Sequence, residues 1–220
     1  MSSTTASFPA CWPRPLVCIH TGSFIVLTPT SAVADAPELF EVGHATEEAR
    51  ALWQYLPCGP FADAAALRDW ITKWQQSPDV LAFTVSSRET GRKLGMISIM
   101  RITPHHGVAE LGLIWYAPAA QRTKANTEAV HLLLGHLFDG LHYRRVEWKC
   151  DNRNQPSKAA ALRLGFQPEG LFRQHLVVKG MNRDTAWFAM LDHEWPKRKA
   201  NFERWLYGAE FVSLTELNRP

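Results

Sequence analysis

The stretch with the clearest capacity for chemistry is 121–127, which reads QRTKANT between an apolar strand-like run and an amphipathic helical run. A helix that begins after a tight polar loop presents unpaired backbone N–H groups and the positive end of its dipole to an anion. Arg122 and Lys124 add positive charge, and Asn126 and Thr127 are residue types that cap helices. The stretch therefore predicts a diphosphate site, with an ordinary capped helix and solvated basic residues as the alternative.

Apolar periodicity predicts the elements that position this stretch. Strand-like runs occur at 24–28, 80–87, 94–102, 109–118, 144–151, 172–179 and 184–191. Helical runs occur at 31–44, at 46–55, after a capping Asp63, at 127–141, from Asn154 to Gly165, and at 194–207. In the fourth strand, Leu111, Leu113 and Trp115 alternate with Gly112, Ile114 and Tyr116, so we expect the first three to share one face. The stretch 121–127 then connects this strand to a helix that packs on the sheet.

The composition limits the class of protein. The chain has 220 residues, enough for one well-packed domain, and 24 Lys and Arg against 21 Asp and Glu give a net charge of +3. So small a charge gives no general attraction to nucleic acids or membranes. The four cysteines form no CxxC pair, and no run approaches the ~20 apolar residues needed to cross a bilayer. We expect a soluble cytoplasmic protein.

Composition and apolar periodicity divide the chain into three parts. Residues 1–20 are rich in Ser, Thr and Pro and lack a period, so they predict a disordered lead-in. Residues 21–192 carry all the predicted strands and form one domain. Residues 193–220 predict a helical extension packed on that domain.

Three segments together resemble the GNAT superfamily of acetyl-CoA-dependent acyltransferases: the loop at 121–127, DNRNQPSKAAALRLGF at 151–166 and LFRQHLVVKGMNRDTAWFAML at 171–191. Within the superfamily, the chain is most similar to the branch that contains the ribosomal-protein N-terminal acetyltransferases. The resemblance covers 24–192. It implies an α/β (α+β) GNAT fold, with a central mixed sheet of about seven strands, a splay between strands 4 and 5, and helices on both faces. It also implies acetyl-CoA as co-substrate and an amine as acceptor.

The resemblance implies where the cofactor binds. In that family the loop after the fourth strand holds the pyrophosphate of coenzyme A through backbone N–H groups, and a bulge on that strand opens a gap for the pantetheine arm. The bulge is expected near 115–117, and Asn154 is expected to bind pantetheine. Lys124 stands where the family has a glycine, so side-chain charge would replace part of the backbone contact. The implied cofactor contacts are Ile114, Trp115, Tyr116, Gln121, Arg122, Thr123, Lys124, Ala125, Asn126, Thr127, Asn154 and Ser157.

Acetyl transfer from a thioester to an amine needs a donor for the leaving thiolate. Many members of the family use a Tyr five residues before the Phe of a Gly-Phe pair. Gly165 and Phe166 fix that position here at Ala161, so the usual acid is missing. The similar branch instead carries a Ser three residues after its Asn, which matches Ser157. Ser157 is therefore the predicted donor, with a first-turn helix residue as the alternative.

The resemblance implies a base on the fourth strand, since the family often uses a Glu there that acts through water, and Glu110 lies at that place; Glu147 and His175 are alternatives. An α-amine, with a pKa near 8, needs far less help to lose a proton than a lysine, with a pKa near 10.4. Absence of a strong base would therefore favour amines that are already partly neutral.

The leading prediction is an enzyme that transfers acetyl to a primary amine, on a protein N-terminus or a small molecule, by direct attack in a ternary complex. The missing Tyr permits a non-catalytic coenzyme A-binding regulatory protein. Basic residues interleaved with aromatic ones at 194–207 permit a nucleic-acid module, although a packing helix explains them more simply. The pair His105 and His106 lacks a third ligand at suitable spacing, so no metal is expected. A monomer and a homodimer both remain open.

Overall fold

A mixed sheet of eight strands organises the computed structural model, which describes residues 9–209 and 212–219. The strands are β1 (His20–Thr21), β2 (Ile25–Pro29), β3 (Val80–Ser87), β4 (Lys93–Thr103), β5 (Val108–Tyr116), β6 (Arg145–Asp151), β7 (Gln167–Val178) and β8 (Met181–Leu191). They lie in the order β1-β2-β3-β4-β5-β6-β8-β7. Neighbours are antiparallel except for the parallel pair β5 and β6. The predicted mixed sheet is confirmed, with one additional short strand at its edge.

The helices are α1 (Ala32–His44), α2 (Glu47–Ala51), α3 (Ala64–Gln75), α4 (Ala125–Gly135), α5 (Gln155–Arg163), α6 (Trp195–Tyr207) and α7 (Leu214–Leu217). The predicted cap at Asp63 is confirmed, because its carboxylate accepts a hydrogen bond from the N–H of Ala66. A 3₁₀ turn at Leu52–Tyr55 follows α2, and a π-helical turn at His136–Gly140 follows α4. Across the described residues, no helix combines the length and the apolar composition that crossing a membrane requires.

Helices cover both faces of the sheet, as predicted. On β4, the neighbouring residues Met96 and Ile97 point to opposite faces and belong to two separate hydrophobic cores. The larger core lies between the sheet and α4, α5 and α6, and the smaller core lies between the other face and α1 and α3. The two layers together bury the sheet and fix the position of α4 and of the loop before it.

β5 carries a bulge that reverses the face on which its side chains lie. Leu111 belongs to the larger core, whereas Leu113 and Trp115 belong to the smaller one. Residues two apart share a face in a regular strand, so the expectation that these three do so is wrong. Leu113 has a φ of 50°, and the pairing with β4 shifts between Gly112 and Trp115. The expected bulge is present, but it lies before 115–117.

β5 and β6 separate soon after they meet. Residues 108–110 pair with residues 145–147 in parallel register, and the pairing ends at Glu110 and Glu147. β6 continues to pair with β8 on its other side as far as Asp151. The edge of β5 that faces β6 beyond Glu110 therefore has no partner strand among the described residues. This is the predicted splay between the fourth and fifth strands of the sequence.

The N-terminal segment differs from the expected disordered lead-in, of which residues 1–8 lie outside the described residues. Trp12 is buried in the larger core, and its Nε1 donates a hydrogen bond to the backbone oxygen of His142 over 2.6 Å. Thr21 and His20 pair with β2. Composition predicted no order here, because a single anchoring tryptophan does not change the average polarity of a segment.

Other boundaries shift by a few residues. β7 begins at Gln167 rather than at 172, and β8 begins at Met181 rather than at 184. These residues are held by pairing within the long β7–β8 hairpin, and most of the β7 side chains are exposed, so they lack the apolar alternation of a buried strand.

The C-terminal extension packs on α4. Trp195, Phe202 and Leu206 of α6 are buried in the larger core, and Lys199 forms an ion pair of 3.0 Å with Asp139 of the π-helical turn. The burial of these side chains favours the packing-helix interpretation of 194–207, because a base-stacking platform needs exposed rings.

Candidate active site

A cavity of about 1120 Å³ occupies the gap where β5 and β6 separate. At one end it is lined by the loop between β5 and α4, and midway by the first turns of α5. At the other end it is lined by 51–57 and by the β7–β8 hairpin, whose Lys179 donates a hydrogen bond to the backbone oxygen of Trp53 over 2.7 Å. One continuous space therefore connects the predicted anion loop to the middle of the sheet.

The loop forms a sharp turn before α4. Arg122 has a φ of 60°, in the left-handed region. Thr123 donates a hydrogen bond from its hydroxyl to the backbone oxygen of Ala120, and the same hydroxyl accepts from the N–H of Ala125. α4 begins at Ala125, with Lys124 at the cap position. The prediction that Asn126 and Thr127 cap the helix is therefore wrong, because both lie within its first turn.

The turn leaves several backbone donors free. Among the described residues, no acceptor meets the N–H groups of 122, 123, 124, 126 and 127. Two buried side-chain oxygens near this end, Asn126 Oδ1 and Tyr116 Oη, also have no hydrogen-bond partner within the described chain. Both residues line the cavity. Buried polar groups are normally paired, so this end of the cavity fits a ligand that brings its own polar atoms.

The basic side chains around the loop differ in what they contact. Arg122 is exposed and lines the cavity. Lys124 instead donates a hydrogen bond from Nζ to the backbone oxygen of Leu206 over 2.5 Å, and Nζ lies 4.5 Å from the ring centre of Phe24. The ammonium of Lys124 therefore binds α6, and Lys124 does not line the cavity.

A second arginine near the loop was missed from the sequence. Arg163, at the end of α5, lines the cavity and donates a hydrogen bond to Thr127 Oγ1 over 3.0 Å. It lies nine residues after Asn154, at a spacing that no motif marks. Only the packing of α5 beside α4 brings its guanidinium to the helix start.

Glu128 lies in the first turn of α4, but its carboxylate binds the start of β2 and the end of α6 and does not face the cavity. Its carboxylate accepts hydrogen bonds from the N–H groups of Ser23, Phe24 and Ile25 and from the hydroxyl of Tyr207, over 2.7 to 2.9 Å. The residue is fully buried. Glu128 thus fastens the start of β2 and the end of α6 to α4, and it does not line the cavity.

The start of α5 presents Ser157 to the cavity. Asn154 caps the helix, since its Oδ1 accepts a hydrogen bond from the N–H of Ser157 over 3.1 Å. Ser157 Oγ accepts from Trp148 Nε1 over 3.0 Å, and the Ser157 hydroxyl also interacts with the Cys150 thiol, where it opposes the burial that raises the pKa of Cys150. Both Asn154 and Ser157 line the cavity.

Ala161, which stands where the family has its Tyr, faces away from this space. It is fully buried in the larger core and is not among the lining residues, whereas its neighbour Ala160 is. A tyrosine at 161 would therefore have to displace core side chains. A donor for a leaving group has to come from another position.

A charged cluster stands where β5 and β6 part. Lys149 Nζ lies 2.8 Å from Glu110 and 2.6 Å from Glu147, and the Lys149 and Glu110 side chains are each 6% exposed. Arg101 also approaches Glu110, at 3.1 Å. Burial raises the pKa of Glu110, while the cations Lys149 and Arg101 act in the opposite direction. Glu110 is thus a buried carboxylate held by cations at the rim of the cavity.

The three candidate bases differ in their access to the cavity. Glu110 and His175 line it, whereas Glu147 is not among the lining residues and pairs with Arg145 and Lys149. His175 Nδ1 lies 3.0 Å from Thr185 Oγ1. Lys149 was missed, although the alternation in EWKC places it on the same face of β6 as Glu147.

The expected contacts on β5 line the cavity in different ways. Ile114, Trp115 and Tyr116 all border it beyond the last residue paired with β6. The side chain of Trp115 belongs to the smaller core, beside Trp53, because the bulge has turned it to that face. Trp115 therefore borders the gap through its backbone on the edge of β5, while its indole packs in the smaller core.

Comparisons with known proteins agree with this geometry. A family model described as "Acetyltransferase (GNAT) domain" matches residues 25–167. A GCN5-related N-acetyltransferase from Brucella melitensis is 40% identical, with a TM-score of 0.90 over 95% of this chain and 97% of that one. The Bacillus subtilis protein named "Putative ribosomal N-acetyltransferase YdaF" is 27% identical over 75% of this chain and 90% of its own.

A more distant structure shares the fold. RimJ from Mycobacterium smegmatis, in complex with CoA-disulfide, is 22% identical, with a TM-score of 0.68 over 81% of this chain and 87% of that one. The family model spans more than half of the chain, and the relatives carry the same activity in their names. The chain therefore belongs to the GNAT family of N-acetyltransferases, in the branch similar to the ribosomal-protein acetyltransferases.

Proposed function

We propose that this protein transfers the acetyl group of acetyl-CoA to the α-amine of a polypeptide, by direct attack in a ternary complex. One observation carries the proposal: a single cavity joins the free N–H groups of Arg122, Thr123 and Asn126 to Glu110, where β5 and β6 separate. A polypeptide acceptor is consistent with YdaF, which is named for ribosomal N-acetylation.

The residues at the loop end fit coenzyme A. Free N–H groups at the start of α4, together with Arg122 and Arg163, suit a diphosphate. The unpaired edge of β5 at 114–116 suits an extended amide-containing arm, which can bind as an added strand. Asn154 borders the same path. Bound acetyl-CoA would supply the acetyl thioester, and the CoA-disulfide complex of RimJ supports this use of the fold.

Two side chains are assigned to proton transfer. Glu110 would accept a proton from the attacking amine through a water molecule, because its carboxylate is buried at the rim of the cavity. Ser157 would donate a hydrogen bond to the departing sulfur, because Ser157 lines the cavity and Trp148 holds its oxygen in place.

The paired state of Glu110 favours an α-amine as acceptor. Burial raises the pKa of Glu110, but Lys149 and Arg101 oppose that rise, so Glu110 is a weaker base than burial alone would make it. An α-amine with a pKa near 8 has a roughly 250-fold larger neutral fraction near neutral pH than a lysine with a pKa near 10.4. A weak base therefore suffices for the first acceptor and not for the second.

The test is an acetylation assay with two peptides. One has a free α-amine and no lysine, and the other has a blocked α-amine and a single lysine. We expect faster acetylation of the first, and a loss of about 10²-fold in kcat for Glu110→Gln with little change in the KM for acetyl-CoA. Preferential acetylation of the lysine peptide would contradict the acceptor assignment, and an unchanged kcat would contradict the role of Glu110.

A thermal melt with acetyl-CoA tests the loop separately. At 100 times its Kd, a ligand adds ~2.7 kcal/mol to the stability of the native state, or several degrees at this chain length. We expect Arg122→Glu to reduce this shift and Arg173→Glu to preserve it, because Arg173 is exposed on β7 and does not line the cavity. Equal shifts of the melting temperature in both variants would mean that Arg122 does not contribute to acetyl-CoA binding.

A further inference from the structure

A cluster of three metal-ligating side chains lies outside the active-site cavity. Cys18, His20 and His136 each offer one ligand atom, and these atoms lie within 4.8 Å of one another. None of the three residues lines the cavity. The cluster stands where the N-terminal segment and β1 meet the π-helical turn after α4.

The two N-terminal residues of the cluster, Cys18 and His20, already lie at a distance that suits two ligands of one metal ion. Cys18 and His20 are two residues apart, immediately before and at the start of β1, and their side chains approach each other. Cys18 Sγ lies 3.3 Å from His20 Nε2. Two ligands of a tetrahedral zinc ion, at ~2.3 Å for sulfur and ~2.0 Å for nitrogen, lie about 3.5 Å apart. The pair could therefore hold zinc with little movement.

His136 supplies an independent observation. It begins the π-helical turn, and such turns redirect a side chain relative to a regular helix. Its ring lies 5.0 Å from the ring of His20, and its Nε2 is buried without a hydrogen-bond partner among the described residues. Leaving such a nitrogen unpaired costs free energy, which a metal ion at this point would recover.

The chemistry of the three groups selects the ion. One thiolate and two imidazoles suit zinc, and they do not suit magnesium or calcium, which take oxygen ligands.

We propose that Cys18, His20 and His136 bind one zinc ion, which joins the N-terminal segment to the end of α4. Water would complete the tetrahedron, and the Cys18 thiol would release its proton to solvent on binding. The expectation of no metal considered only His105 and His106, which are exposed and belong to no such cluster among the described residues. The ligands come from segments more than a hundred residues apart, so spacing in the sequence does not reveal them.

The test measures zinc on the full chain, without acetyl-CoA. After zinc loading and dialysis, we expect about one zinc per chain in the wild type and at least a tenfold weaker affinity in Cys18→Ser and in His136→Gln. Matched controls are Cys11→Ser, an exposed cysteine of the same segment, and His106→Gln, an exposed histidine. Both controls should bind as the wild type does. Equal affinity in Cys18→Ser and Cys11→Ser would overturn the proposal.

A cobalt spectrum keeps the proposal testable if a cluster variant does not fold. Cobalt bound to the wild type should give a thiolate-to-cobalt charge-transfer band, together with the visible bands of a tetrahedral site. Cys11→Ser should keep the charge-transfer band. A wild-type protein without that band has no thiolate-ligated site, and the proposal then fails whatever the variants do.

Discussion

The two ends of the active-site cavity differ in how far their polar groups are already paired within the chain. At the loop end, the backbone N–H groups of 122, 123, 124, 126 and 127 and the buried Asn126 Oδ1 lack partners among the described residues. Where β5 and β6 separate, Lys149 bridges Glu110 and Glu147, and Arg101 also pairs with Glu110. The polar groups at the loop end therefore need a ligand to pair with, whereas the charged groups at the other end already pair with one another.

This difference indicates that the loop end contributes mainly to the free energy of ligand binding, and the charged cluster mainly to the free energy of folding. Unpaired donors at the start of a helix gain most when a ligand arrives, so they contribute to binding more than to folding. Buried charges that compensate one another are needed for the folded state itself, and removing one partner leaves another charge uncompensated. Substitutions at the two ends should thus affect different measurements.

The largest expected effect comes from placing the same substitution at each end. Lys149→Met leaves two buried carboxylates without their shared cation and should lower the free energy of unfolding by about 3–5 kcal/mol. Arg122→Met removes an exposed guanidinium and should change it by about 0.5 kcal/mol or less. Urea denaturation of both variants at neutral pH measures the two values.

Equal costs for these two variants would break the comparison. That result would mean that the carboxylates bind protons when Lys149 is absent and remain in the fold as neutral acids. The pH dependence of unfolding of Lys149→Met would then be steeper than that of the wild type, because more protons would be taken up in the folded state.

A smaller effect follows from the raised pKa of Glu110. Its pKa in the folded protein lies above the ordinary 4.5 because the group is buried. Between those two values the folded state keeps a proton that the unfolded chain has lost, so this group makes stability fall as the pH rises from 4.5 through the folded pKa. The slope is at most ~1.4 kcal/mol per pH unit.

Glu110→Gln removes this contribution. The free energy of unfolding of the wild type minus that of Glu110→Gln should therefore decrease as the pH rises from 4.5 towards neutrality. Asp151 and Glu169, whose pKa values are lowered by hydrogen bonds from Arg153 and Arg145, have the opposite pH dependence but are common to both proteins. A difference that increases with pH would show that Lys149 and Arg101 outweigh burial.

The same contrast separates what the sequence predicted from what it could not. The loop at 121–127, the cap at Asp63 and the helix that starts at Asn154 depend on local patterns, so the sequence could predict their places in the fold. The contacts of Lys124 with α6 and of Arg163 with Thr127 depend on which helices pack together. Sequence spacing carries no signal for such contacts.

The bulge on β5 shows the limit of periodicity most clearly. Alternation placed Leu111, Leu113 and Trp115 on one face, and one irregular residue moved two of them to the other core. A bulge adds a residue without changing composition, so no apolar pattern marks its position. The resemblance to a known family predicted that a bulge exists, and only the structure gave its location.

The smallest expected effect sharpens the comparison within the loop itself, between its two basic residues. Lys124→Met removes the hydrogen bond to Leu206 and the contact with the Phe24 ring, so it should cost about 1 kcal/mol of stability and leave acetyl-CoA affinity nearly unchanged. Arg122→Met should do the reverse, with unchanged stability and roughly fivefold weaker binding, because an exposed charge contributes about 1 kcal/mol at most. Calorimetric titration with acetyl-CoA and urea denaturation of both variants measure the two effects. If Lys124→Met weakened binding as much as Arg122→Met, its ammonium would have to leave α6 when the ligand binds, and the loop end would be less preorganised than its contacts indicate.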